Sequence, residues 1–190
     1  MRKIILLGFC LLLSLGLDAQ KKGDFYVGAS GGASFTNSSA ITFGAAASVE
    51  VGYFVFKNWR LSASAGYSFQ KVGTREESSI GHVLLLGPSV SYYVKLADGL
   101  YYTPEVGGYY AMGWNVQQGV NVNVHGYEVG LSLFALEFRP SEKLGFRLSV
   151  AGITAGEMVT PAKEGGNWMG VQNLDAVFNT SSSAGVLFYF

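Results

Sequence analysis

Residues 180–190 read TSSSAGVLFYF. Ala184, Val186, Phe188 and Phe190 fall on one face at period two, and Ser183, Gly185, Leu187 and Tyr189 fall on the other. That alternation marks a β-strand with one apolar face, and the strand runs to an aromatic ring at residue 190. A strand with bare edges invites pairing with other chains. Such a strand is expected to have both of its edges paired.

Seven earlier segments alternate in the same way. Residues 25–35 set Phe25, Val27 and Ala29 against Tyr26, Gly28 and Ser30. Residues 41–56 carry Phe43, Val49, Val51 and Tyr53 on one face, with Ser48, Glu50 and Gly52 on the other. Residues 60–71 set Leu61, Tyr67 and Phe69 against Ser62, Ser64 and Gln70, and residues 82–96 set Leu84, Leu86 and Val90 against Gly87, Ser89 and Ser91. Residues 100–114 and 144–154 continue the pattern, with Glu105 and Arg147 on their polar faces. Residues 126–139 change phase. Val129 and Leu131 mark one face, whereas Phe134, Leu136 and Phe138 mark the other, which predicts a β-bulge near residues 131–134.

The connections sort into two kinds that alternate along the chain. Three are tight, at residues 57–59, 97–99 and 140–143. Four are longer or more polar, at residues 36–40, 72–81, 115–125 and 155–174. Transmembrane β-barrels have short turns at one rim and longer loops at the other, with amphipathic strands of about this length. A soluble β-sandwich has no reason to sort its loops this way. The expected fold is all-β, an eight-stranded antiparallel up-and-down transmembrane β-barrel.

The start of the chain fits export. Arg2 and Lys3 precede an apolar run over residues 4–17, and Asp18-Ala19 precedes a predicted cut before Gln20. The run is short for a membrane-spanning helix. Residues 1–19 are thus expected to be a cleaved signal peptide, and residues 20–190 the barrel domain. A lipoprotein would need Cys10 as its lipidated residue, but Phe9 is too large for that cleavage. Cys10 is the one cysteine, so the mature chain would hold no disulfide. Loss of Arg2, Lys3 and Asp18 from 13 basic and 13 acidic residues leaves 11 and 12, nearly neutral and unsuited to nucleic acid. The charged fraction of 14% is well below the roughly 25% of soluble domains, a composition that suits a membrane barrel and would also suit a soluble β-sandwich, so the periodicity decides.

Aromatics gather near the segment ends, including Tyr53, Phe54, Phe56, Trp59, Tyr93 and Phe138 at one rim, and Phe43, Tyr67, Tyr110, Trp114 and Tyr127 at the other. Rings prefer the headgroup level of a bilayer, so two girdles are expected. The stretch Gly87-Pro88-Ser89-Val90-Ser91-Tyr92-Tyr93, a tight turn, and Tyr101-Tyr102-Thr103-Pro104-Glu105-Val106-Gly107 resembles the small outer-membrane β-barrel proteins common in Bacteroidota. More loosely, the chain is similar to OmpA/OmpX-type barrels. The resemblance implies the outer membrane as its location, reached through the periplasm. It also implies that the terminal aromatics Phe188 and Phe190 act as an assembly signal for the barrel insertion machinery.

Six charged residues project from the polar strand faces: Glu50, Arg60, Glu105, Glu137, Arg139 and Arg147. An Arg on the lipid side would cost about 2–4 kcal/mol at the bilayer midplane, so these residues are expected inside as a charge network. Counting back from the turn at residues 140–143 puts Glu137 almost opposite Arg147, and predicts that those two pair. An eight-stranded barrel is just wide enough to be filled by its own side chains. The expected role is therefore structural or surface-interacting through the external loops, with a narrow porin-like channel as the alternative. Lipid A-modifying enzymes are similar eight-stranded barrels, but they need a His–Ser or His–acid constellation. His82 and His125 are each followed by apolar or small residues rather than a serine partner, so no catalytic group is assigned. A metal set of His82, His125 and Glu128 has no supporting spacing, and no cofactor is expected. Lys163, Glu164, Trp168 and Met169, in the longest loop, have the composition of a contact surface. The expected partners are outer-membrane lipid, the insertion machinery and an extracellular ligand or host surface.

Overall fold

The computed structural model describes residues 23–37, 41–73, 78–117, 120–159, 175–179 and 183–190. The expected signal peptide and the loop residues Lys163, Glu164, Trp168 and Met169 lie outside the described residues. The chain makes eight antiparallel passes from eleven strand elements: β1 (Phe25–Asn37), β2 (Ile41–Phe56), β3 (Trp59–Gly73), β4 (Ser78–Tyr92), β5 (Val94–Ala97), β6 (Leu100–Tyr102), β7 (Glu105–Gln117), β8 (Val120–Ser141), β9 (Leu144–Val159), β10 (Asp175–Asn179) and β11 (Ser183–Tyr189). β4 and β5 are halves of the fourth pass, β6 and β7 of the fifth, β10 and β11 of the eighth. Each pass pairs with the next. β11 pairs with β1, from Tyr26↔Tyr189 to Gly32↔Ser183, and so closes the ring. Closure gives the last strand the two neighbours that its bare edges require.

Two of the tight turns use residues suited to their backbone. Asn58 has φ 66° and Gly99 has φ 73°, in the left-handed region that two-residue hairpins need and that Asn and Gly tolerate. Beside Gly99, Lys95 lies 2.7 Å from Asp98 and holds that exposed carboxyl below the usual carboxylate range.

The strands run further toward the loop rim than the sequence pattern indicates. β3 and β4 stay paired to Gly73↔Ser78, and β7 and β8 to Gln117↔Val120. Much of the expected loops at 72–81 and 115–125 is therefore ladder, and β9 takes up the start of the loop at 155–174. The reason is physical. Alternation records which residues face lipid, while a ladder needs only backbone groups. β8 has 22 residues, whereas a tilted strand crosses the hydrocarbon in about 9–11. Outside that slab the apolar pattern fades and the hydrogen bonds continue.

The phase change in β8 is a bulge. The register against β9 shifts between Ser132 and Phe134 and again at Ala135. Val129 and Leu131 face outward before it, and Phe134, Leu136 and Phe138 face outward after it. A second irregularity falls between the halves of the fourth and fifth passes. There Tyr93 N donates to Asn58 O, and Thr103 N donates to Ala135 O.

Polarity is inverted relative to a soluble domain. Arg60, Glu137, Ser62 and Ser91 are buried, while Val49, Leu61 and Phe134 are 58%, 46% and 58% exposed. In water such an apolar wall would drive association; in hydrocarbon it is the lipid face. Tyr53, Phe56, Trp59, Phe138 and Phe188 are exposed at the tight-turn rim, and Phe43, Tyr67, Tyr110, Trp114 and Tyr127 at the loop rim. Phe54 and Tyr93 correct the expected girdle. Both are fully buried inside the barrel. Each is the inward half of an aromatic pair, Tyr53-Phe54 or Tyr92-Tyr93, whose members must point to opposite faces.

Candidate functional site

The tight-turn half of the barrel is filled by a plug. Tyr26, Phe54, Tyr93, Leu187 and Tyr189 form one buried cluster, with Tyr101 packed against it. Glycine on neighbouring strands makes the room. A Cβ at Gly52 would fall within the Tyr26 ring, and one at Gly28 would meet Leu187. Arg60 sits over the Tyr26 and Tyr93 rings, 4.5 Å and 5.2 Å from their centroids. Arg139 lies 3.6 Å from the centroid of Tyr189. These are cation–π distances, and the guanidinium groups pack against the rings.

Six of the interior charges form one alternating chain. Glu50 meets Arg147 at 3.2 Å, and Arg147 meets Glu105 at 3.5 Å. Glu105 meets Arg60 at 2.9 Å, Arg60 approaches Glu137 at 4.0 Å, and Glu137 closes the series on Arg139. Hydroxyls add further bonds to the carboxylates. Ser91 donates to Glu105 at 2.6 Å, Tyr93 donates to Glu137 at 2.7 Å, and Tyr189 donates to the other Glu137 oxygen. Three cations thus face three carboxylates, as buried charges require, while Arg60 Nε, Arg139 Nη2 and Arg147 Nε and Nη2 are buried with no protein hydrogen-bond partner among the described residues.

One expected pairing is corrected. Glu137 does lie opposite Arg147 in the β8–β9 register. Their side chains nevertheless take other partners. Arg147 reaches Glu50 across the lumen, 97 residues away in sequence, and Glu137 bonds Arg139, Tyr93 and Tyr189. Inward side chains in a narrow barrel converge on its axis, so partners come from the opposite wall as readily as from the adjacent strand.

Above the charge chain the inward residues become small. Ser30, Ser48, Ser64, Ser132, Ser149 and Ser183 line a cavity of about 180 Å³ whose floor includes Glu50, Glu105 and Arg147. Ser30 bonds Ser48 at 2.7 Å, and Ser132 bonds Ser149 at 2.8 Å. An adjoining cavity of about 200 Å³ is lined by Tyr109, Glu128 and Thr154. A larger indentation of about 580 Å³ is bounded chiefly by outward residues such as Leu136, Phe138, Phe146 and Val186, and belongs to the lipid-facing wall.

His82 and His125 fall on the outward face, and Glu128 on the inward face, so those three do not converge. Phe188 and Phe190 face outward, 53% and 78% exposed, and Phe190 N donates to Phe25 O at 2.9 Å. The plug residues Tyr26, Phe54, Tyr93 and Tyr189 were not legible as site residues. For Tyr26 and Tyr189 the signal was an aromatic in the inward phase beside a glycine, Gly52 or Gly145, on the next strand.

No family model matches the chain, and no curated protein sequence does. Solved structures do. The chain is similar to the N-terminal β-barrel domain of Pseudomonas aeruginosa OprF, at 16% identity over 90% of this chain and 100% of that one, with a TM-score of 0.53. It is also similar to the outer membrane protein OprG from Pseudomonas aeruginosa, at 11% identity over 92% and 99%, with a TM-score of 0.51. At these identities the likeness establishes the fold, a small outer-membrane-type β-barrel.

Proposed function

We propose that this chain is a small outer-membrane barrel of structural or surface-interacting role, closed to passage at its tight-turn end. Its loop rim faces outward and its tight turns face the periplasm, as the loop sorting of such barrels implies. In this reading it follows secretory export and is inserted by the barrel insertion machinery. The observation that carries closure is the plug, in which Tyr26, Phe54, Tyr93, Leu187 and Tyr189 surround Arg60 and Glu137 with no exposed surface on Arg60 or Glu137. No catalytic role is proposed. His82 faces outward and bonds Tyr67 rather than a serine or a carboxylate.

A second reading, a narrow porin-like channel, draws on the serine-lined cavities above the plug. Planar-bilayer recording separates the two. The folded chain is expected to give no discrete conductance steps, and a variant with Tyr93→Ala and Tyr189→Ala is expected to show them. Reproducible steps from the unaltered chain would favour the channel.

Assembly supplies a separate test. Deletion of Phe190 removes an exposed terminal ring and its backbone pairing with Phe25. The truncated chain is expected to fall severalfold in outer-membrane fractions and to accumulate as a protease-sensitive periplasmic pool. Unchanged insertion would show that Phe190 is not an assembly signal.

A further inference from the structure

We propose that an outward-facing cluster near the loop rim, Tyr67, Phe69, Lys71, His82 and Trp114, is a docking site for the phosphate-bearing headgroup of an outer-leaflet lipid. The proposal rests on the membrane-spanning orientation given above and adds a specific ligand to it. Tyr67, Phe69 and Lys71 are successive outward positions on β3. In register, Phe69 faces His82 on β4, Lys71 faces Ile80, and His82 faces Trp114 on β7. His82 is therefore flanked by aromatic rings on both sides. Its imidazole stacks on Trp114 at 4.9 Å and 17°, and lies 5.4 Å from Phe69.

A histidine on this wall breaks the rule that outward positions are apolar. A polar ring facing hydrocarbon is costly unless it sits at headgroup depth and has partners. Tyr67 satisfies one nitrogen, its hydroxyl oxygen lying 2.6 Å from His82 Nδ1. With that hydroxyl donating, the imidazole proton sits on Nε2, which is then a donor for another group.

Lys71 supplies the charge. It is a diagonal neighbour of His82 across the β3–β4 ladder, a spacing of roughly 7–8 Å that a long side chain spans. Its stem can lie along the apolar wall with the ammonium at the water boundary. Among the described outward residues of β2, β3, β4 and β7, Lys71 is the one with a formal charge, and the carboxylates Glu50 and Glu105 of those strands point inward. The face thus presents a cation, an imidazole Nε2 placed to donate and an apolar aromatic surround. A lipid phosphate complements all three. Its oxygens accept from Lys71 Nζ and His82 Nε2, and its glycerol and acyl portions lie against the rings.

The test uses the chain folded into nanodiscs of phosphatidylcholine containing phosphatidic acid, released into mild detergent and weighed by native mass spectrometry. Heat-modifiable migration of each sample on a denaturing gel reports barrel closure. Its loss in the unaltered chain would sink the barrel reading itself, separately from the lipid site. The folded chain should retain phosphatidic acid in preference to phosphatidylcholine. Lys71→Met and His82→Phe should each lower that retention by roughly threefold to tenfold, and leave phosphatidylcholine retention unchanged. Trp59→Phe, in the opposite girdle, should retain phosphatidic acid as the unaltered chain does. If His82→Phe fails to close, Lys71→Met at its exposed strand-end position decides the matter. Equal retention by Lys71→Met and the unaltered chain would overturn the proposal. So would displacement of phosphatidic acid by inorganic phosphate, or a dimer mass in place of the lipid adduct.

Discussion

Glu137→Ala is expected to lower the unfolding free energy of the barrel by about 3–5 kcal/mol, the range for removing one partner from a buried charge pair. Glu137 has no exposed surface and accepts from Arg139, Tyr93 and Tyr189. Its loss strands a guanidinium and two hydroxyls within the plug. Urea unfolding of the chain folded in detergent, followed by tryptophan fluorescence, measures the change. A loss below about 1 kcal/mol, the range of an exposed pair, would show that the plug is hydrated. The same system tests the corrected pairing. In a mutant cycle Glu137 should couple to Arg139 by more than about 1 kcal/mol, and to Arg147 by less than about 0.5 kcal/mol. Stronger coupling to Arg147 would restore the ladder pair.

Arg60→Met is expected to cost about 3 kcal/mol, at the lower end of the same range. Arg60 donates to Tyr93, Ser91 and Glu105, and its guanidinium covers the Tyr26 ring. Methionine keeps much of the apolar stem. Glu105 retains Arg147, and Glu137 retains Arg139, so neither carboxylate is left wholly alone. Adding Glu105→Gln should recover part of the loss, because the charge chain is then neutral again. No recovery in the double variant would mean that Arg60 acts through packing on the rings rather than through its charge.

Both variants act at the junction of two tiers inside the barrel. Large rings and paired charges fill the tight-turn half, and serines leave space in the loop half. In the proposed reading, closure at the tight-turn end is a consequence of side-chain volume at inward positions. The lipid wall outside is the same throughout.

The sequence by itself determined the wall. Alternation in eight segments, sorted connections and a phase change near residues 131–134 sufficed for strand number, direction, closure and even the bulge in β8, because each is a one-dimensional consequence of which residues must face hydrocarbon. It also placed Glu50, Arg60, Glu105, Glu137, Arg139 and Arg147 on the polar faces. What alternation could not say is which inward residues meet. Strand tilt and a narrow lumen bring Arg147 to Glu50 past the two intervening strands β11 and β1, and move Glu137 off its register partner. The tertiary structure alone turned Phe54 and Tyr93 from girdle to plug, and carried the strands past the point where the apolar pattern stops. Lipid exposure is a property of each residue in turn, whereas contact across a lumen depends on the position of every strand at once.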